Sequence, residues 1–295
     1  MLSIVVPNRN SPFLTKTIED LLSKAQGDIE VIVSVDEEWP ETLLGDGRVT
    51  YIHPGDVRGM RWGINACVAL ARGEYIMKTD DHCLFGKGFD RVLIENHQQD
   101  NWVQIPRRYA LDVEKWAIEE RTDDKYPIDY MSLCYPQLGK SHDDGFHGIP
   151  WKSKREERKD IEIDEVATGQ GSCYFMTKNH FVNTLKFLQE EGYGQFSQEA
   201  QEISLKTWLG GGAVMVNKKT WYAHLFKGSK HGRFYKMPGG TIEGSNWSSL
   251  HWINDEEPNM KYPFSWFINE KFPDMPEWTP DWEQKLRDSG QIYKK

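Results

Sequence analysis

The strongest chemical signature in the chain is one run, Gly73-Glu74-Tyr75-Ile76-Met77-Lys78-Thr79-Asp80-Asp81-His82-Cys83. Residues 75–79 read as a buried strand, entered from a helix that stops at Gly73 and closed by two carboxylates and an imidazole. Asp80 and His82 are two residues apart, so on an extended chain both point to the same side and could share one divalent ion. An oxygen and nitrogen donor pair suits manganese, magnesium or zinc, with phosphate oxygens filling the open positions. Taken alone, the run also reads as an acidic turn capping the next helix. The elements around it favour the first reading.

Residues 2–6 are a short apolar, β-branched strand ending in Pro7-Asn8-Arg9-Asn10, after which Ser11-Pro12 opens a helix. Leu14, Ile18, Leu21, Leu22 and Ala25 recur in it at helical spacing, and Gly27 ends it. Residues 30–35 form a second strand, which ends at Asp36. Such a βαβ unit has a right-handed crossover and parallel strands. The turns after the strands therefore gather at the edge that carries Asp80, where open α/β sheets place their ligands. Residues 48–52 read as a third strand, and Gly59-Met60-Arg61-Trp62-Gly63-Ile64-Asn65 opens a helix that runs to about Arg72. Gly59 permits a tight turn there, so a backbone amide or Arg58 can approach an anion. Further on, residues 90–96 read as a helix, 102–105 as a strand, 166–176 as a Gly-rich turn into a strand, 179–191 as a helix with Phe181, Leu185 and Leu188 inward, and 213–216 as a strand. No GxGxxG or Walker loop is present, which argues against a dinucleotide or P-loop site.

With 295 residues, 38% apolar and 13% aromatic, the chain can bury a full α/β core. Residues 107–165 are charge-rich and read as an insertion able to shape an acceptor site. Residues 256–295, rich in Trp and Pro, read as a wrapping extension of a domain over 1–255. A net charge of −9 argues against generic nucleic-acid binding, yet residues 203–242 hold no acid at all. That window carries Lys206, Lys218, Lys219, Lys227, Lys230, Arg233 and Lys236 among Trp208, Trp221, Tyr222, Phe226, Phe234 and Tyr235, a composition suited to phosphates and rings. The four cysteines form no CxxC pair and read as reduced core residues. No apolar run approaches the roughly 18 residues of a membrane span, and a cytoplasmic location is expected, in the host if the protein is viral.

Together these residues resemble a known family. The first strand with Pro7 and Asn10, the second ending in Asp36, the Gly59 to Asn65 turn, and Ala71-Arg72-Gly73-Glu74-Tyr75-Ile76 before the acidic triplet resemble GT-A glycosyltransferases of the family 2 type. Where that family usually has Asp-x-Asp, this chain has Asp80-Asp81-His82-Cys83, which is similar to the Asp-x-His of the polypeptide N-acetylgalactosaminyltransferases. In the same order, residues 169–175, Glu199-Ala200-Gln201-Glu202-Ile203-Ser204, Ala223-His224-Leu225-Phe226-Lys227 and Tyr235 with Pro238-Gly239-Gly240 resemble that family's later motifs. The compact, anchorless, Trp-rich form also looks like stand-alone bacteriophage glycosyltransferases.

The resemblance implies a GT-A α/β domain, with a mixed, mostly parallel sheet flanked by helices, that uses a UDP sugar as donor. Asp80, His82 and His224 would hold Mn²⁺ or Mg²⁺ on the diphosphate. Asp36 would bind the base, and Pro7, Asn10, Arg58, Gly59, Asn65 and Asp81 would line the nucleotide. Lys227, standing where the family has Arg, and Tyr235 would belong to a closing lid. Glu199 is the acid to watch, as general base in an inverting enzyme, whereas a retaining enzyme can pass the acceptor proton to the diphosphate. The resemblance implies retention. The acceptor is a sugar, peptide or small-molecule hydroxyl, or a hydroxymethylated pyrimidine in DNA. A nucleotidyltransferase and a non-catalytic nucleotide-sugar binding module are the competing readings.

Overall fold

The computed structural model describes residues 1–121, 124–226 and 231–290. Its strands are β1 (Leu2–Asn8), β2 (Ile29–Val35), β3 (Val49–Ile52), β4 (Tyr75–Thr79), β5 (Cys83–Phe85), β6 (Trp102–Asp112), β7 (Ala117–Ile118), β8 (Met131–Leu133), β9 (Gly148–Pro150), β10 (Ile163–Glu165), β11 (Cys173–Thr177) and β12 (Ala213–His224). The main helices up to residue 209 are α1 (Leu14–Lys24), α2 (Met60–Leu70), α3 (Phe89–Glu95), α4 (Lys152–Glu157) and α5 (Glu199–Leu209). The central mixed sheet has the order β10-β12-β6-β11-β4-β1-β2-β3, with β5 added on β12 and β7 on β6. The β4-β1-β2-β3 half is parallel, β11 is antiparallel to both its neighbours, and β6 and β12 are parallel. β8 and β9 pair separately.

The parallel strands are continuous Val/Ile runs because both faces of the sheet are covered. Leu2, Ile4, Val6, Val31, Val33 and Met77 face Leu14, Ile18 and Leu21 of α1 and Phe89 and Leu93 of α3. Alternate positions, Val5, Ile32 and Ile76, face Ile64 and Val68 of α2 and Ile203 and Leu205 of α5. The same second core takes in Ile128, Tyr130, Phe146 and Trp151 together with Trp252, Phe264, Trp278 and Trp282. Phe146 stacks on Phe264 at 5.4 Å, so residues 107–165 and the chain after 255 share one apolar cluster. No helix among the described residues is long and apolar enough to cross a membrane.

Two local expectations are corrected. α1 begins at Leu14 with Phe13 at its N-cap, two residues later than Ser11-Pro12 suggests, because the Ser11 hydroxyl accepts the Phe13 amide in a preceding turn. The helix expected over 179–191 is only a single wide turn, His180–Thr184. Phe181, Leu185 and Leu188 are buried as their spacing predicts, but Lys186 and Phe187 take left-handed backbone angles (φ 56° and 65°). The chain is drawn out there by Asn65, whose amide group bonds both the N–H and the C=O of Leu188 (2.9 and 2.8 Å).

Candidate active site

β4 delivers Asp80 directly: the Asp80 amide still bonds Ser172 O of the segment entering β11 (3.0 Å), so the chain leaves the sheet only after it. The chain then re-enters as β5, whose Cys83 pairs with His224 at the end of β12. β12 is one long strand with a register shift between Asn217 and Trp221, where sequence patterning shows only 213–216. That length carries His224 to the β4 edge. His224 Nε2 lies 3.2 Å and His82 Nε2 3.8 Å from Asp80 Oδ2, and one ligand atom from each of the three residues falls within 4.8 Å of the others.

A set of buried partners holds these groups. Asp81 accepts from His82 Nδ1 (2.6 Å) and from the Asn8 amide (2.7 Å), which leaves Nε2 of His82 turned toward Asp80. Lys78, buried in β4, bonds Asp80 Oδ1 (2.6 Å) and Gly171 O, and lies 3.6 Å from Glu199 Oε1. Burial works against the charged Asp80 carboxylate, but Lys78 and the two imidazoles outweigh it and hold its pKa well below the ordinary value. Burial pushes the His224 imidazole down to about 4, so it is neutral at pH 7, the form that ligates a metal. Burial also raises the Glu199 carboxyl, against the pull of Lys78. Glu199 takes the Tyr174 hydroxyl at 2.8 Å.

The trio opens into a cavity of about 830 Å³. Its lining includes Pro7, Asn8, Arg9, Asp36, Gly59 and Tyr235, a group tied together by Asp36 on Gly59 and Arg9 on Tyr235, and also Arg108, Lys125, Gly148, Pro150 and Phe226, where Lys125 stands over Phe226. Asp36 accepts the backbone amides of Arg58 (2.7 Å) and Gly59 (3.1 Å), so it shapes the turn before α2 as well as facing the cavity. Only glycine fits at 59: φ is +85° and a Cβ would stand 2.5 Å from Gln195 Cβ. Arg9 lies 3.9 Å from Asp36 and 5.4 Å from the centre of the Tyr235 ring.

Several expected positions lie elsewhere. Asn10 is not among the lining residues; it bonds Glu37 (2.9 Å) and the Glu38 amide, pinning the turn after β2. Asn65 is taken up by Leu188, and the exposed Arg58 reaches Asp36 through its backbone alone. Asp81 lines the cavity, but both its oxygens serve His82 and Asn8. Lys227 lies outside the described residues. The acid-free window is not one surface: Lys206 bonds Glu202, Lys218 bonds backbone carbonyls, Lys219 pairs with Glu162, and Trp208 and Tyr222 are core, while among the described residues Arg233, Tyr235 and Phe226 line the cavity. Asn8, Arg9, Lys78 and Arg108 line the cavity and Tyr174 bonds Glu199, and sequence patterning singles out none of them. The one available signal was a lysine, Lys78, inside an apolar strand and two residues before an aspartate.

Residues 3–149 match the model of glycosyl transferase family 2, a match that runs well into the segment read as an insertion. A Drosophila melanogaster protein named as a candidate polypeptide N-acetylgalactosaminyltransferase, number 13, is 23% identical over 293 residues, 88% of this chain and 49% of its own length. The chain thus spans about half of that relative. Among solved structures, GalNAc-T7 with UDP, GalNAc and Mn²⁺ superimposes with a TM-score of 0.70 at 14% identity, over 94% of this chain and 58% of that one. S. aureus TarS 1–349 in complex with UDP-GlcNAc gives 0.58 at 15% identity, over 98% and 80%. Residues 3–149 thus form a glycosyl transferase family 2 region by the model they match, and the chain as a whole carries a GT-A glycosyltransferase fold.

Proposed function

We propose that the protein transfers a sugar from a UDP sugar to an acceptor hydroxyl, with retention, using a divalent ion held by Asp80, His82 and His224. The observation that carries this reading is the convergence of one carboxylate and two imidazoles beside the cavity that Asp36 and Gly59 line. One oxygen and two nitrogen donors fit Mn²⁺ better than Mg²⁺, which prefers oxygen ligands and keeps its waters. The GalNAc-T7 structure, which holds UDP and Mn²⁺, supports the same assignment. An ion bound here supplies positive charge at the leaving diphosphate.

The chain's own groups do the rest. Lys78 fixes one oxygen of Asp80, and Asp81 fixes the ring of His82. Asp36 and the Gly59 turn receive the nucleoside, and Tyr235 against Arg9 roofs that side and excludes water from the donor. Glu199 is engaged by Tyr174 and Lys78. It therefore acts by positioning Lys78, and the acceptor proton passes to a diphosphate oxygen, an arrangement that supports retention.

The test is release of nucleoside diphosphate from a panel of nucleotide sugars with Mn²⁺ or with EDTA. EDTA-sensitive release from a UDP sugar is expected, and no release from any donor would leave a binding module in its place. His224→Ala is expected to weaken Mn²⁺-dependent UDP binding by about 10–100-fold in calorimetry; unchanged affinity would remove His224 from the site. Tyr235→Ala should raise the ratio of free to transferred sugar about tenfold with the melting temperature nearly unchanged, and a wild-type ratio would count against the roof. For the acceptor, a sugar, peptide or small-molecule hydroxyl is the first reading. The cations Lys125 and Arg233 at the cavity favour a second, a hydroxymethylated pyrimidine in DNA. Release accelerated by such DNA, and falling steeply with salt, would select it.

A further inference from the structure

Arg108 is a buried charged group of the cavity for which the donor reading has no use. On β6 it stands opposite Tyr222 of β12, two residues before His224, so it lies on the same face of the sheet one pleat below the trio. Its guanidinium is always charged. The residue is only 4% exposed, its Nε has no hydrogen-bond partner, and no carboxylate among the described residues pairs with it. Asp129 shares a small recess with Arg108, but both its oxygens are bound by Arg107 at 2.7 Å. What covers Arg108 is an aromatic ring, Tyr126, at 5.8 Å. A buried cation without a counter-charge is costly, and folds keep one where a ligand brings the anion.

We propose that Arg108 anchors an anion subsite on the acceptor side of the cavity, which takes a phosphate or carboxylate group carried by the acceptor. The proposal rests on the glycosyltransferase reading above for the words donor and acceptor. The side is set by neighbours: Arg108 belongs with Tyr126, Gly169 and Gln170, whereas the nucleotide side is built from Asn8, Arg9, Asp36 and Gly59. Lys125 stands over the same Tyr126 ring at 5.8 Å and lines the cavity as a second cation. An acceptor with an acidic group near its hydroxyl is thus oriented by a fork of N–H donors that matches oxyanions in two contacts.

The test uses the full chain, as wild type, Arg108→Met and Arg108→Lys. Inorganic phosphate and, separately, acetate are titrated into protein saturated with UDP and Mn²⁺, and into UDP-free protein in EDTA, where no metal can hold the anion. Wild type is expected to bind at least one of the two anions in both states. R108M should lose about tenfold or more of that affinity, R108K should keep part of it, and UDP affinity should stay the same in all three. Without ligand, R108M should melt at or above the wild-type temperature, because removing an unpaired buried cation relieves the fold. Phosphate should raise the melting temperature of wild type and not of R108M. Equal anion binding in R108M, absence of anion binding in wild type, or a clear fall in unliganded melting temperature would each overturn the proposal, the last marking Arg108 as structural. A parallel loss of UDP affinity would also overturn it by moving Arg108 to the donor. If UDP fails to bind wild type at all, the donor reading fails, and the EDTA titration still decides whether Arg108 holds an anion.

Discussion

Asp80→Ala is expected to lower turnover by about a thousandfold or more while the protein stays folded. Asp80 is the hub of the trio: both imidazoles face its Oδ2, and Lys78 holds its Oδ1. Taking it away removes the anionic member of the donor set, and with it the charge that helps two imidazoles keep a hard divalent ion. The fold should tolerate the loss. Lys78, although buried, retains Gly171 O and Glu199 at 3.6 Å, so no cation is left without an anion nearby. Asp80→Asn keeps the volume and still accepts from Lys78, and it should be nearly as inactive with a smaller change in melting. The measurement is nucleoside diphosphate release with saturating Mn²⁺, alongside circular dichroism. A variant that keeps more than about a tenth of wild-type turnover would sink the metal assignment.

The site was legible where a short run carries both an element and its chemistry. Strand β4 with Asp80 and His82, the end of β2 at Asp36, and the turn at Gly59 stand in the structure where their patterns put them. His224 followed from the resemblance to a known motif and from nothing local, since an alternating reading stopped β12 at Val216 and the register shift after Asn217 hides its continuation. Contacts that join distant segments were not legible. Asn10 and Asn65 look like nucleotide ligands in a turn and a helix start, but each half-buried amide is taken up by another segment, Asn10 by Glu37 and the Glu38 amide and Asn65 by the Leu188 backbone. The basic window misled for a related reason. Acids that neutralise it, Glu162, Glu202 and Glu257, come from outside the window, and composition counted along the chain cannot see a partner across it.

Glu202→Ala is expected to be the most destabilising single change near the site, by roughly 3–5 kcal/mol. Arg61 and Glu202 are both fully buried, and Glu202 accepts from Arg61, from Lys206 (2.7 Å) and from the Gln189 amide (3.0 Å). Removing the carboxylate strands two buried cations at once. Arg61 keeps its bonds to Ser197 O and Gln189 O and its place over the Tyr193 ring at 4.1 Å, but none of these carries a negative charge. Lys206 keeps the Leu185 carbonyl (3.1 Å) and the more distant Glu257 carboxylate at 3.7 Å. The effect should reach the donor side too, since Arg61 follows Gly59 by two residues and ties the start of α2 to the segment entering α5. Urea unfolding should show a lower midpoint with an unchanged slope, and UDP affinity should fall even though Glu202 does not itself line the cavity. A loss under about 1 kcal/mol would mean that water or backbone carbonyls replace Glu202 as the counter-charge, and the pair would then be no clamp between α2 and α5.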